Sequence, residues 1–264
     1  MSLPFEALVR TEALTFGLEA ARLSGLLIAA PLAWTFLPAR ARAGLVLLLT
    51  FFMHGVVPRP DLKALDILHV SGLTASEFLV GISLGFVARL VLATTEIAAD
   101  AIAPTMGLSA AQLVDPSLGG QGTVLTKLLR YFGILFALSA GLHHMLLAAV
   151  FHSFSVFPVG SMIHPELLAE DMIGLTARAL SSGVRLALPI LAILFIAQIA
   201  LAFVARAAPA MQIFAIGFAV TLGTGAVLWV AFAPEIAGAL TELARGAEPT
   251  LLRVLSHLAG NAAR

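Results

Sequence analysis

Two uninterrupted apolar runs constrain this chain more than any other feature of its sequence. They are Val184–Val204 and Ile213–Phe232, and Arg185, at the edge of the first, is the only full charge in either run. An α-helix needs about 20 apolar residues to cross the hydrocarbon core of a bilayer. The runs therefore predict two membrane-embedded helices. Pro209 lies between them and predicts a tight hairpin, because proline cannot continue a helix.

The composition and further apolar segments extend this prediction to the rest of the chain. Of the 264 residues, 60% are hydrophobic and 11% are charged, whereas soluble domains carry about 25% charged residues. Four more apolar segments are Leu14–Leu37, Ala43–Val57, Phe78–Leu92 and Val124–Phe157. We therefore predict an all-α membrane protein of about six apolar helices, forming a single domain over residues 1–264.

Several ionisable side chains lie inside these apolar helices. An unpaired charge at the centre of a bilayer costs roughly 2.5–3.5 kcal/mol even on the gentler insertion scales. Side chains at helix ends avoid this cost by reaching the headgroups, but Glu19, Arg22 and Arg89 fit that explanation least well. Glu19 and Arg22 are three residues apart, on one helix face. These three are the candidate buried charges, which would pair with one another, contact partner subunits or line water.

The sequence offers little support for enzymatic chemistry, a metal site or nucleic-acid binding. Lys plus Arg equals Asp plus Glu, at 15 each, so there is no net positive charge to attract nucleic acid. His143, His144 and His152 have no cysteine and no nearby carboxylate to complete a metal site. No catalytic triad, phosphate-binding loop or carboxylate pair occurs at a suitable spacing. We predict no catalytic residues, no metal and no cofactor.

The central segment from Pro104 to Gly122 is apolar, yet its two prolines and four glycines interrupt any helix. Apolar irregular backbone at membrane depth is tolerated only where protein buries it or where it lines a cavity. Two interpretations follow from the composition. The segment is either a plug or constriction in a pore, or a loop packed among the protein's own helices.

Four motifs, spread in order along the chain, make the pattern more specific. They are Pro31 with Leu37–Gly44, Met106–Ser109 with Val114–Pro116, Gly141–His144 with Phe151–Phe154 and Phe157–Gly160, and Ala205–Pro209 with Ile213–Phe218. In residue type, order and spacing these motifs resemble the FliR family of flagellar export-apparatus membrane proteins, and the resemblance covers nearly the whole chain.

The resemblance implies an assembly and a cellular location. It implies helices arranged as hairpins within a helical export gate, together with FliP- and FliQ-like membrane subunits. FlhB- and FlhA-like export components would meet this gate, and unfolded protein substrates would pass through it. The implied location is the bacterial inner membrane, at the flagellar basal body.

The resemblance also implies roles for particular residues. The central loop would help to seal the pore, and its gate residues are Met106, Gly107, Leu108, Ser109, Leu113, Val114, Asp115 and Pro116. The last hairpin would serve assembly through Arg206, Pro209 and Gly217.

Two alternative functions remain open at the level of sequence. The related subunit of virulence-type injectisomes is the nearer one, although Met106–Ser109 and Asp115–Pro116 favour the flagellar branch. The other is a small-molecule secondary transporter, since broken helices and buried charges also occur there. A transporter would have interrupted helices in both halves of the chain, and only one half shows such an interruption.

Overall fold

The structure is a computed structural model, and its regular secondary structure is helical throughout the residues that it describes. These are residues 4–30, 34, 37–57, 67–106, 124–139, 141–162, 165–207, 213–243 and 245–246. The helices are α1 (Pro4–Ala29), α2 (Ala39–His54), α3 (Ile67–Thr105), α4 (Val124–Ser139), α5 (Leu142–Val156), α6 (Pro165–Ala207), α7 (Ile213–Ala231) and α8 (Ala233–Leu243). The all-α prediction is confirmed.

Two of the described helices are long and apolar enough to cross a membrane. They are α3, with 39 residues, and the part of α6 from Ala169 to Ala207. Two broken helix pairs raise the number to at most four, namely α4 with α5, and α7 with α8, which are bent by 52°. The predicted count of about six membrane-embedded helices is therefore not confirmed. The helix α2 has only 16 residues, and α1 carries several charges.

The break between α4 and α5 lies in a stretch that the sequence presents as one apolar region, Val124–Phe157. Gly141 precedes α5 with a φ of 82°, in the left-handed region that glycine adopts without strain. The helix α3, by contrast, extends well beyond the predicted apolar core Phe78–Leu92. Local composition identifies the apolar part of a helix, but packing along its length decides where the helix ends.

The chain divides into two compact units. Unit one contains residues 1–90, 141–175 and 243–264, and unit two contains residues 91–140 and 176–242. The helices α3 and α6 each contribute their first part to unit one and their second part to unit two. The assignment of residues 1–264 to a single domain stays a prediction.

In unit one, α1 packs against α2 and lies very close to α3. Glycines allow this close approach, because a side chain at these positions would strike the backbone of the facing helix. A Cβ atom on Gly81 would lie 2.8 Å from the carbonyl carbon of Arg22, and one on Gly85 would lie 2.7 Å from Cβ of Ala29. Gly25 of α1 faces Phe78 of α3 in the same way.

In unit two, the second part of α3 packs against α4, α6 and α7, again through small residues. Gly133 of α4 faces Thr95, and Gly183 of α6 faces Thr94 and Ile97. Gly225 of α7 faces the side chain of Met106, which directly follows α3.

Candidate functional site

The centre of unit one is a fully buried arginine on α1. Arg22 Nε donates a hydrogen bond to Glu77 Oε2 of α3 at 2.6 Å. Its two terminal nitrogens donate to Ser153 Oγ and to the carbonyl oxygen of Phe157, both at 3.0 Å. The guanidinium carbon lies 4.2 Å from the ring centroid of Phe154, within the range of a cation–π contact. One side chain thus joins α1, α3 and α5.

The second oxygen of Glu77 extends this centre to the turn that follows α5. The backbone N–H of Gly160 donates to Glu77 Oε1 at 2.9 Å. Gly160 has a φ of 87°, so the turn needs glycine at this position. One residue before Glu77, Ser76 Oγ donates to the carbonyl oxygen of Ser161 at 2.9 Å. The turn is therefore hydrogen-bonded to α3 at two successive residues, Gly160 and Ser161.

The electrostatics of this centre make it a structural clamp. Removing a charge from water costs several kcal/mol per ion, and only a close opposite charge with further hydrogen bonds offsets that cost. Both side chains of the Arg22–Glu77 pair have 0% exposure, and their charged atoms lie 2.6 Å apart. Each side chain also has further hydrogen-bond partners, so the pair meets both conditions. The clamp therefore holds the end of α5 against α1 and α3.

Glu19, the second candidate buried charge, is bound by a different residue. His54, the last residue of α2, lies between two carboxylates of α1, with Nδ1 3.1 Å from Glu19 Oε2 and Nε2 3.1 Å from Glu12 Oε2. Glu19 is fully buried within unit one. Glu19 and Arg22 therefore have their partners on other helices, Glu19 on α2 and Arg22 on α3.

Arg89, the third candidate, is exposed on α3. Glu19 and Arg22 are buried within the chain, and the roles of all three as buried charges stay predictions. A helix repeats every 3.6 residues, so one that packs on a single side leaves other positions of the same apolar segment outside. In unit two, Glu96 of α3 pairs with Arg130 of α4, with Nε 2.9 Å from Oε1.

Met106 is the one gate-loop residue that the structure describes, and it is buried. Its carbonyl oxygen accepts a hydrogen bond from Thr221 Oγ1 of α7 at 3.3 Å, and its side chain faces Gly225. The preceding carbonyl, of Thr105, accepts from Gln198 Nε2 of α6 at 2.7 Å. The point where α3 ends is therefore fixed to α6 and α7.

The other predicted site residues are only partly described. The gate residues Gly107, Leu108, Ser109, Leu113, Val114, Asp115 and Pro116 lie outside the described residues, and so does Pro209. Arg206 is exposed near the end of α6. Gly217 of α7 packs against α6, where a Cβ atom would lie 3.8 Å from Leu201 Cδ1.

Sequence reasoning missed His54 and Ser153 as partners of the buried charges. His54 lies 35 and 42 residues from its two partners, and Ser153 lies 131 residues from Arg22. The sequence did carry a signal for Ser153, because this residue lies in the motif Phe151–Phe154. That motif and Phe157–Gly160, which both resemble the FliR family, supply most of the contacts to Arg22 and Glu77. His54 lies in no motif that the sequence analysis identified.

These features define the class of protein. A chain of apolar helices, with two to four candidate spans and ionic side chains buried between helices, is an integral membrane protein. The profile of the family described as bacterial export proteins, family 1, matches residues 13–247. The chain belongs to this family.

Individual relatives agree with the family match. The chain is 30% identical to the flagellar biosynthetic protein FliR of Escherichia coli K12, over 76% of each chain. It is 27% identical to FliR of Bacillus subtilis 168, over 73% of this chain and 75% of the relative. It is also 26% identical to the Yop proteins translocation protein T of Yersinia pestis, over 74% of this chain and 76% of the relative. The resemblance to the FliR family is confirmed.

Proposed function

We propose that this chain is a subunit of the flagellar type III protein-export gate in the bacterial inner membrane. It would form part of the pore through which unfolded flagellar subunits are exported, and would act without enzymatic chemistry or a cofactor. The observation that carries this proposal is the similarity to FliR proteins over about three quarters of the chain. The family match over residues 13–247 supports the same function.

The surface of α6 supports a role inside a larger assembly. Only 17% of the most apolar stretch of α6 is buried within the chain, compared with 61% of the corresponding stretch of α3. Large side chains such as Phe195, Ile196 and Phe203 are more than 60% exposed. An apolar surface of this kind needs lipid or another protein to cover it. We propose that FliP- and FliQ-like subunits cover part of it, and that FlhB- and FlhA-like components bind the assembled gate.

We expect the chain to be recovered as one copy within a hetero-oligomer. The charges on its helices favour burial against other subunits over exposure to lipid. The test is expression of the tagged chain with and without the flagellar membrane subunits, followed by mild detergent extraction and native mass measurement. A stable, monodisperse monomer in both preparations would contradict the proposal.

We propose that the central loop contributes to the closed gate through Leu108, Leu113 and Val114. An apolar constriction excludes ions because a dewetted pore makes their passage costly, and the neighbouring glycines would let the loop move aside. Deleting Ser109–Val114 is therefore expected to make the membrane leak small ions while the complex still assembles. Ion permeability and complex yield are to be measured in the same strain.

The control for the loop deletion replaces Leu108, Leu113 and Val114 with serine, which keeps the loop at its full length. This variant is expected to leak as well, because a polar constriction stays hydrated. A tight membrane with a normal complex yield in both variants would mean that the loop only packs among helices.

An injectisome subunit is the second candidate function, because the relative in Yersinia pestis is a Yop translocation protein. Complementation separates the two systems. The gene for this chain should restore motility to a flagellar strain that lacks its own FliR, and should not restore secretion to an injectisome mutant. The opposite result would assign the chain to the injectisome.

A further inference from the structure

The contact between α1 and α2 contains three titratable side chains that the proposed gate function does not use. Glu12 and Glu19 are about two helical turns apart on α1, and the imidazole of His54 lies between them. Each ring nitrogen is 3.1 Å from a carboxylate oxygen. The ring of Phe16 packs edge-on to the imidazole, with centroids 5.6 Å apart and planes at 74°. The position of the imidazole is therefore fixed on three sides.

The two contacts of the imidazole need more protons than the three side chains carry when the imidazole is neutral and both carboxylates are ionised. An N···O contact of 3.1 Å between an imidazole and a carboxylate is a hydrogen bond only when a proton lies between the two atoms. The triad makes two such contacts and needs two protons. A neutral imidazole with two carboxylates supplies only one. The second proton is held either by a doubly protonated imidazole or by one of the carboxyl groups.

The surroundings also favour the extra proton. Glu19 is buried, and its Oε1 has no hydrogen-bond partner among the described residues. The other charges that act on Glu19 are Glu77 of α3 and Arg22 of α1, and their effects are opposite in sign. Arg22 and Glu77 also pair with each other. The extra proton changes the charge of the triad from −2 to −1. This lowers the cost of burying Glu19, whereas the side chains of His54 and Glu12 are 28% and 27% exposed.

We propose that Glu12, His54 and Glu19 form a proton-binding site at the contact between α1 and α2. The site holds one proton more than the same three groups hold in water above about pH 6.5, where a free imidazole becomes mostly neutral. Its ligand is a proton and not a metal ion, because both imidazole nitrogens face carboxylate oxygens and neither is left to bind a metal. The described residues contain no group of His, Asp and Glu side chains arranged to hold a metal ion. The packing of α1 on α2 is thereby linked to pH.

The sign of this linkage follows from the proton count. The folded chain binds the additional proton and the unfolded chain releases it above about pH 6.5, so the stability from this site decreases as pH rises. Each such proton changes the unfolding equilibrium tenfold per pH unit. Below about pH 6.5 the unfolded histidine is protonated as well, so the folded and unfolded chains no longer differ by this proton.

The test compares the wild-type chain with Glu19→Gln in the assembled complex. Complexes in one mild detergent are titrated with urea at pH 6, 7, 8 and 9, and the midpoint at which the chain leaves the complex is recorded. A glutamine amide donates to the imidazole without an added proton. As pH rises above about 6.5, the stability of Glu19→Gln should therefore fall less steeply than that of wild type. The two should differ by up to tenfold in the unfolding equilibrium for each pH unit. The control His152→Gln changes an exposed histidine of α5 and should follow wild type.

Two results would overturn the proposal. One is an identical pH dependence in wild type and Glu19→Gln. If Glu19→Gln does not assemble, Glu12→Gln is measured in its place, because it satisfies the other imidazole nitrogen in the same way. The second is a wild-type midpoint that does not fall between pH 7 and pH 9, which would show that the folded chain binds no additional proton even if neither variant assembles.

Discussion

Replacing Arg22 by methionine is expected to remove most of the folded chain from the membrane. The substitution leaves the carboxylate of Glu77 fully buried without its counter-ion. It also removes the hydrogen bonds to Ser153 and to the carbonyl oxygen of Phe157. Breaking a buried ion pair by removing one partner costs about 3–5 kcal/mol, which is a large part of the stability of a typical domain. The measurements are the amount of tagged chain in membranes and its urea midpoint.

A double-mutant cycle separates the charge from the packing at this centre. Glu77→Gln alone strands the guanidinium of Arg22, but its side-chain oxygen can still accept from the N–H of Gly160. Combined with Arg22→Met it removes both members of the Arg22–Glu77 pair and strands neither charge, so the double variant should recover a large part of the stability lost in Arg22→Met. Arg185→Met, at an exposed position of α6, is the control and should change little. A double variant as unstable as the sum of the single ones would show that Arg22 and Glu77 are not coupled.

The second large effect is expected from adding a single methyl group where α1 and α3 meet. In Gly81→Ala the new Cβ atom would lie 2.8 Å from the carbonyl carbon of Arg22 and 3.0 Å from the amide nitrogen of Leu26. These are backbone atoms of a helix, so they cannot move away singly, and the two helices must separate. We expect a destabilisation of at least about 1–3 kcal/mol, the usual cost of overpacking, together with a weaker Arg22–Glu77 contact.

Gly17→Ala is the matched control for Gly81→Ala. Gly17 is also a helical glycine of unit one, but a Cβ atom there would meet nothing within 4 Å. Alanine in place of a helical glycine stabilises a helix by roughly 0.5–1 kcal/mol, so this variant should be as stable as wild type or more stable. Urea midpoints of the two variants decide the question. If both variants gain stability, the close approach of α1 and α3 is not required by the fold.

The two substitutions act on one piece of packing, so their effects should not add. The carbonyl group that faces Gly81 belongs to Arg22, and the Arg22 side chain binds Glu77, four residues before Gly81. The absence of a side chain at Gly81 brings the helices close enough for a 2.6 Å ion pair. The double variant Gly81→Ala with Arg22→Met should therefore lose less stability than the sum of its parts.

The helical class and the family followed from local features of the sequence. The run Val184–Val204 lies entirely within α6, and Ile213–Phe232 corresponds to α7 and the residue that follows it. Length and apolar composition are sufficient for this, because in lipid a backbone must satisfy its own hydrogen bonds. The family followed from the order and spacing of short motifs. The number of spans did not follow, because a break separates α4 from α5 and another separates α7 from α8.

Only the tertiary structure decided which buried charges pair with one another. From sequence, Glu19 and Arg22 are neighbours on one helix face, and Arg89 belongs to the same class of side chain. In the fold, Arg22 binds Glu77, 55 residues away, and Glu19 binds His54, 35 residues away, while Arg89 is exposed. Helical periodicity fixes the face on which a side chain lies, but not which other helix packs against that face. That choice depends on close contacts such as the one at Gly81, which form only when distant segments meet.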